Sequence, residues 1–107
     1  MLTEERELRR GDIVQIAEHG TVLSRLGLVL TPTDYILTSR GLVAALISPK
    51  GERYAYAVAL SIGGLGYVLC DHLARFSFDR HRIVFIETAG PSEVATVMGK
   101  VRSLFSI

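Results

Sequence analysis

Apolar positions along the chain follow two periods, and the period changes once. Gly11-Asp12 precedes Ile13, Val14 and Ile16, a β-branched run that predicts a strand, and His19-Gly20 turns the chain away from it. A second strand is predicted from Leu26 to Leu30. Thr31-Pro32-Thr33-Asp34 then stops that strand and opens a short helical turn through Tyr35, Ile36 and Leu37, with Thr31 as its cap. Leu42 to Ile47 is apolar on both faces, as a strand covered from both sides requires, and it ends at the turn signature Ser48-Pro49-Lys50-Gly51. Tyr54, Tyr56, Val58 and Leu60 alternate with three alanines, which predicts another strand. Gly63-Gly64-Leu65-Gly66 reads as a hairpin turn before the strand Tyr67 to Cys70. The charged stretch Asp79 to Arg82 precedes a shorter strand, Ile83 to Ile86. After Gly90-Pro91 the apolar residues Val94, Val97, Met98, Val101, Leu104 and Phe105 recur every three or four positions, so the chain closes on an amphipathic helix with Pro91 near its first turn.

The connections are too short for the crossovers that a parallel βαβ sheet needs. The expected architecture is α+β and mainly β: a small antiparallel sheet curled into a barrel, with a brief helix and a C-terminal helix packed on it. With 107 residues there is room for one hydrophobic core, so residues 1–107 are expected to form a single domain, 1–9 being a flexible lead-in without apolar periodicity.

Charge and cysteine content narrow the chemistry. Twelve basic against eleven acidic residues leave a formal charge of +1, so indiscriminate polyanion binding is excluded and any nucleic-acid site must be local. One cysteine, Cys70, makes neither an intrachain disulfide nor a multi-cysteine zinc site, and reads as a small buried apolar residue. The N-terminus is charged where a signal peptide is apolar, and no apolar run approaches the roughly 17 to 25 residues of a membrane helix, so a cytoplasmic location without membrane attachment is expected. The apolar fraction of 49% is high for so small a body, consistent with surface covered by a partner.

Five segments together carry a family resemblance. Arg10-Gly11-Asp12-Ile13-Val14, Arg25-Leu26-Gly27-Leu28-Val29-Leu30-Thr31-Pro32, Val43-Ala44-Ala45-Leu46-Ile47-Ser48, Val68-Leu69-Cys70-Asp71-His72 and Pro91-Ser92-Glu93-Val94 resemble, in order and spacing, the MazF/PemK toxins of bacterial toxin–antitoxin pairs. The resemblance implies an SH3-like barrel of the CcdB/MazF kind. It further implies a homodimer that cuts single-stranded RNA without a metal or other cofactor and is silenced by the C-terminal segment of a cognate antitoxin. By the same resemblance Arg25 takes the position of the family's catalytic arginine and Ser48 that of its catalytic hydroxyl.

That assignment suits the chemistry. Attack of a 2′-hydroxyl on the adjacent phosphate builds negative charge that a guanidinium fork holds in two hydrogen bonds, while a hydroxyl donates to a third oxygen or orients the nucleophile. Arg25 stays protonated and so is a charge stabiliser, which leaves the general base unassigned. His72, standing where the family commonly has Gln, is a candidate acid or base by residue type, although its parity with Val68 and Cys70 predicts a core or interface position. Arg40, Lys50, Arg53 and Arg75 lie at or near predicted loops and are candidates for RNA phosphates; Arg80 and Arg82 are basic in the same way. Leu26 replaces the family's Pro, and the first loop, Glu18 to Ser24, is shorter than usual. Two alternatives follow from the residues: a non-catalytic toxin-like binding subunit, and a CcdB-like gyrase inhibitor. The second is weakened because the chain ends Phe105-Ser106-Ile107 and contains no Trp.

Overall fold

A computed structural model describes residues 7–50, 54–62 and 64–106. Six strands and two helices follow in the order β1 (Asp12–Glu18), β2 (Ser24–Val29), α1 (Thr33–Ser39), β3 (Gly41–Ser48), β4 (Ala57–Ala59), β5 (Tyr67–Ser77), β6 (His81–Thr88) and α2 (Pro91–Leu104). The strands form one antiparallel sheet, ordered β4-β5-β3-β2-β1-β6. The mainly β, α+β architecture expected from the sequence is the one observed.

Strand alternation divides the core between the two faces of this sheet. Ile13, Leu28, Ala45, Ile47, Val68 and Cys70 are buried on one face, where Val94, Val97, Met98 and Val101 of α2 cover them. Val14, Ile16, Val29, Leu42, Ala44, Phe76 and Ile83 are buried on the other, with Ile36 and Tyr35 of α1 against them. Both faces of the central strands are thus covered by helix. That is why Leu42 to Ile47 reads as continuously apolar. Burying a side chain the size of Val97, which is fully buried, stabilises by about 1.5–3 kcal/mol.

The corner before β1 ties three strands together. Gly11, at φ +97°, donates its N–H to the Val29 carbonyl (2.8 Å) and accepts from Ala89 (2.9 Å), while Arg10 Nε donates to the Leu30 carbonyl (2.7 Å). Asp12 is 1% exposed; its carboxylate accepts from the Arg9 N–H (2.9 Å) and the Thr88 hydroxyl (3.2 Å). Within the segment expected to be a lead-in, the Leu8 carbonyl accepts from Thr33 Oγ1 (2.9 Å) and Leu8 packs against the α1-side core.

Several boundaries differ from those the pattern predicts. Helix α1 begins after Pro32, which takes the N-cap position, and the Thr31 hydroxyl instead accepts the Val43 N–H at 3.4 Å. The alternation from Tyr54 to Leu60 does turn Tyr56, Val58 and Leu60 inward, but only Ala57–Ala59 pairs as a strand, because the Tyr54 carbonyl is taken by Ala57 in a turn. Strand β5 runs on to Ser77 through charged residues. Its pairing with β3 jumps from Ile47↔Val68 to Ala45↔Leu73, so Leu69 to His72 bulge out of the ladder. Strand β6 likewise begins at His81, inside the charged stretch. Phe105 lies past the end of α2 and is 71% exposed.

Gly66 gives a direct test of this packing. Its φ is +107°, and a Cβ there would stand 2.1 Å from the Ser48 carbonyl oxygen, whereas Gly64, at φ +77°, has open space around it. Gly64→Ala is expected to cost roughly 1–2 kcal/mol, the backbone penalty alone. Gly66→Ala adds a clash with backbone and is expected to cost clearly more, as read by urea or thermal unfolding. Equal costs would show that the β4–β5 turn does not press on the end of β3.

Candidate functional site

Arg25 and Ser48 are neighbours across the sheet. The β2–β3 register pairs Leu26 with Ile47 and Gly27 with Leu46, and one further step sets Arg25 against Ser48. Paired residues of an antiparallel ladder share a face and lie about 4.5–5.5 Å apart at Cα. Here that face is the α1 side, because Arg25 is also paired with the buried Ile16. The same row continues to Ile83 on β6 in one direction and Tyr67 on β5 in the other. Arg25 is exposed and Ser48 partly so, at the end of the sheet where no helix covers them.

Beside Arg25 the first loop closes a concavity of about 330 Å³ lined by Ile16, Glu18, Thr21, Leu23, Ser24, Arg25 and His81. It brings a guanidinium, a carboxylate and an imidazole to one rim. Glu18 and His81 are a cross-strand pair on β1 and β6. Sequence reasoning missed His81, although its place in a charged stretch before a strand was the available signal.

The remaining sequence candidates divide by position. Lys50 is exposed two residues beyond Ser48 and belongs to the same end of the sheet. Arg40 and Arg75 stand toward the other end of β3: Arg40 precedes Gly41, about 23 Å along the strand from Ser48, and Arg75 pairs with Val43, about 16 Å from it. Arg40 caps α1 in the left-handed region, at φ 56°, and Arg75 donates through Nε to the Tyr35 hydroxyl (3.2 Å) and through an Nη to the Ser39 carbonyl (2.8 Å). That guanidinium lowers the Tyr35 phenol from its ordinary value, with a smaller contribution from Ser39. Arg53 lies outside the described residues.

His72 is not in the core: its side chain is 52% exposed. The bulge in β5 breaks the parity with Val68 and Cys70 on which the expectation rested. Its Nε2 is 3.8 Å from Asp71 Oδ1, which accepts a hydrogen bond from the Tyr54 hydroxyl. This cluster flanks the β4–β5 edge. Cys70 is buried, as its composition-based reading required. Among the described residues no group of three or more His, Cys, Asp or Glu side chains gathers in one place, and no helix is long and apolar enough to cross a membrane.

The six-stranded sheet with a helix on each face is the fold of the MazF toxins. The chain matches the crystal structure of MazE–MazF (Form-II) from Deinococcus radiodurans at a TM-score of 0.83 and 26% identity, covering 95% of this chain and 98% of that one. It matches MazF alone (Form-I) from the same organism at 0.81 and 26%, covering 95% and 99%. An endoribonuclease from a mycobacterial species shares the fold at a TM-score of 0.76 and 14% identity, over 92% of this chain and 90% of that one. No sequence-family model matches the chain, and no curated protein does. The chain is a MazF-like protein, and the resemblance to the MazF/PemK toxins carried by five segments of its sequence holds over nearly the whole fold.

Burial pushes the Cys70 thiol up from its ordinary value, against a smaller opposing effect of Lys100. The thiolate, which is the reactive form, therefore appears only at more alkaline pH than in an unfolded chain. Iodoacetamide at pH 8 is expected to leave Cys70 unmodified in the native protein and to label it fully in guanidinium, as read by intact mass. Rapid native labelling would show that the α2-covered face opens.

Proposed function

We propose that this chain is the toxin of a toxin–antitoxin pair and a metal-independent, sequence-specific endoribonuclease acting on single-stranded RNA. The observation that carries the proposal is the register that sets Arg25 against Ser48 on an uncovered end of a MazF fold. In the proposed reaction the 2′-hydroxyl attacks the adjacent phosphorus. The Arg25 guanidinium donates to two phosphate oxygens as charge builds on them, and Ser48 donates to a third or orients the nucleophile. Lys50 holds a neighbouring phosphate from the same end. Arg40 and Arg75, at the α1 end of the molecule, are proposed to meet RNA only where it leaves the Arg25 end and passes around the sheet.

The proposed assembly is a cytoplasmic homodimer whose active surface is covered by the C-terminal segment of an antitoxin. Support comes from the neighbours solved as MazE–MazF complexes, and from the mycobacterial endoribonuclease solved with its cognate antitoxin, which matches at 14% identity and a TM-score of 0.68. Exposed Val22, Leu23, Leu37 and Phe105 provide apolar area for such partners.

Purified protein is expected to cut single-stranded RNA in the presence of EDTA. Arg25→Ala is expected to lower the rate about 100- to 1000-fold, the usual loss for one transition-state donor, with unfolding free energy changed by no more than about 0.5 kcal/mol because the side chain is exposed. Intact RNA with a well-folded wild-type chain would overturn the endoribonuclease assignment in favour of a binding subunit.

A further inference from the structure

The chemistry above lacks a group to take the proton of the attacking 2′-hydroxyl. We propose that His81 is that general base, an assignment that rests on the endoribonuclease reading and completes it. Three observations converge on this residue. His81 lines the same concavity as Arg25. Its ring is fixed from two sides, edge-to-face against Phe76 (centroids 5.1 Å apart, planes at 89°) and through Nδ1, 3.2 Å from the Ser77 carbonyl oxygen. A carbonyl only accepts, so Nδ1 carries the hydrogen, and in the neutral ring the lone pair is left on Nε2.

Sheet geometry sets the reach. Arg25 pairs with Ile16 and His81 with Glu18, on strands either side of β1. Two strand spacings and a two-residue offset put their Cα atoms about 12 Å apart. An extended arginine from one side and an imidazole from the other leave a gap that one ribose-phosphate unit fills. Ser48 stands on the opposite flank of Arg25, so the three groups address one phosphodiester from different directions.

The step balances without a metal. The 2′-oxygen forms a bond to phosphorus as its proton passes to His81 Nε2, and the phosphorus–O5′ bond breaks. The departing 5′-oxygen takes a proton from water, and the hydroxide so formed is neutralised by the imidazolium. The products are a 2′,3′-cyclic phosphate and a 5′-hydroxyl. The charged groups facing His81 are Glu18 on β1 and Arg25 on β2; β5 offers only the Phe76 ring and the Ser77 carbonyl. Arg82 on its own strand pairs with Ala17 and points to the other face, and Asp79 and Arg80 lie in the preceding turn.

The test uses the full-length protein. Its cut in a long single-stranded RNA is mapped by primer extension, and kinetics follow on a short oligonucleotide spanning that cut. His81→Asn keeps an amide N–H for the Ser77 carbonyl and removes Nε2; should it not fold by thermal melting, His81→Gln replaces it. Expected are a fall in kcat of about 100-fold or more with KM little changed, and loss of the acidic limb of the kcat/KM pH profile. The same fall is expected on a substrate with a bridging 5′-sulfur, whose leaving group needs no proton. Restored cleavage of that substrate would make His81 an acid and overturn the assignment, as would an unchanged rate and pH profile. Loss of the acidic limb in Glu18→Gln but not in His81→Asn would transfer the role to Glu18. A wild-type chain that cuts no RNA would overturn the endoribonuclease reading itself, and the assignment with it; a wild type that cuts while His81→Asn is normal overturns the assignment alone.

Discussion

Asp12 holds a carboxylate almost wholly out of water at the corner where β1 begins. A buried ion survives only where hydrogen bonds replace its hydration, and here they come from the Arg9 backbone and from Thr88 at the far end of β6. Gly11 beside it bridges the end of β2 to the segment leaving β6. The contacts of the Arg-Gly-Asp segment are structural. They lock three strands side by side, and those three carry Arg25, Glu18 and His81 at their opposite ends.

The tied end of β1 and the end that bears Glu18 are thus about six residues apart. One is closed by a buried charge, while the other is left open, with the exposed tip of the first loop bearing Val22 and Leu23. With a net charge near zero, the chain carries few cations at this end, but strand spacing fixes their distances from one another, which is what the proposed phosphate contacts require. The groups proposed to meet the phosphate stand on strands rather than on the short first loop.

The two periods of the sequence made most of the fold legible. Alternation at Ile13, Val14 and Ile16 and the three-four spacing from Val94 to Val101 each bury what they predict, because burial of one face is the force that sets both periods. The sequence failed where backbone pairing and side-chain pattern part company. Asp71, His72 and Arg75 hide the second half of β5, since a strand that bulges and edges into solvent needs no apolar alternation. Arg25 and Ser48 were legible through their flanking segments, yet their adjacency needed the register. The charged stretch before β6 drew attention only to its arginines, and the place of His81 beside Arg25 needed the β1–β6 register.

The pairing of β1 with β6 contains one irregularity, between Ile13 and Val14. Before it, Asp12 and Ile13 face Thr88 and Glu87; after it, Val14 faces Phe85 and Glu18 faces His81. One extra residue has shifted the strand's reading frame. Strand β6 begins with an imidazole followed by a guanidinium, His81 and then Arg82, which point to opposite sides of the sheet. In the unshifted frame Arg82 would stand opposite Glu18 on the Arg25 face, and that rim would carry two guanidiniums and a carboxylate in place of the imidazole. A single backbone insertion thus chooses which of two chemistries the strand displays, without altering either side chain.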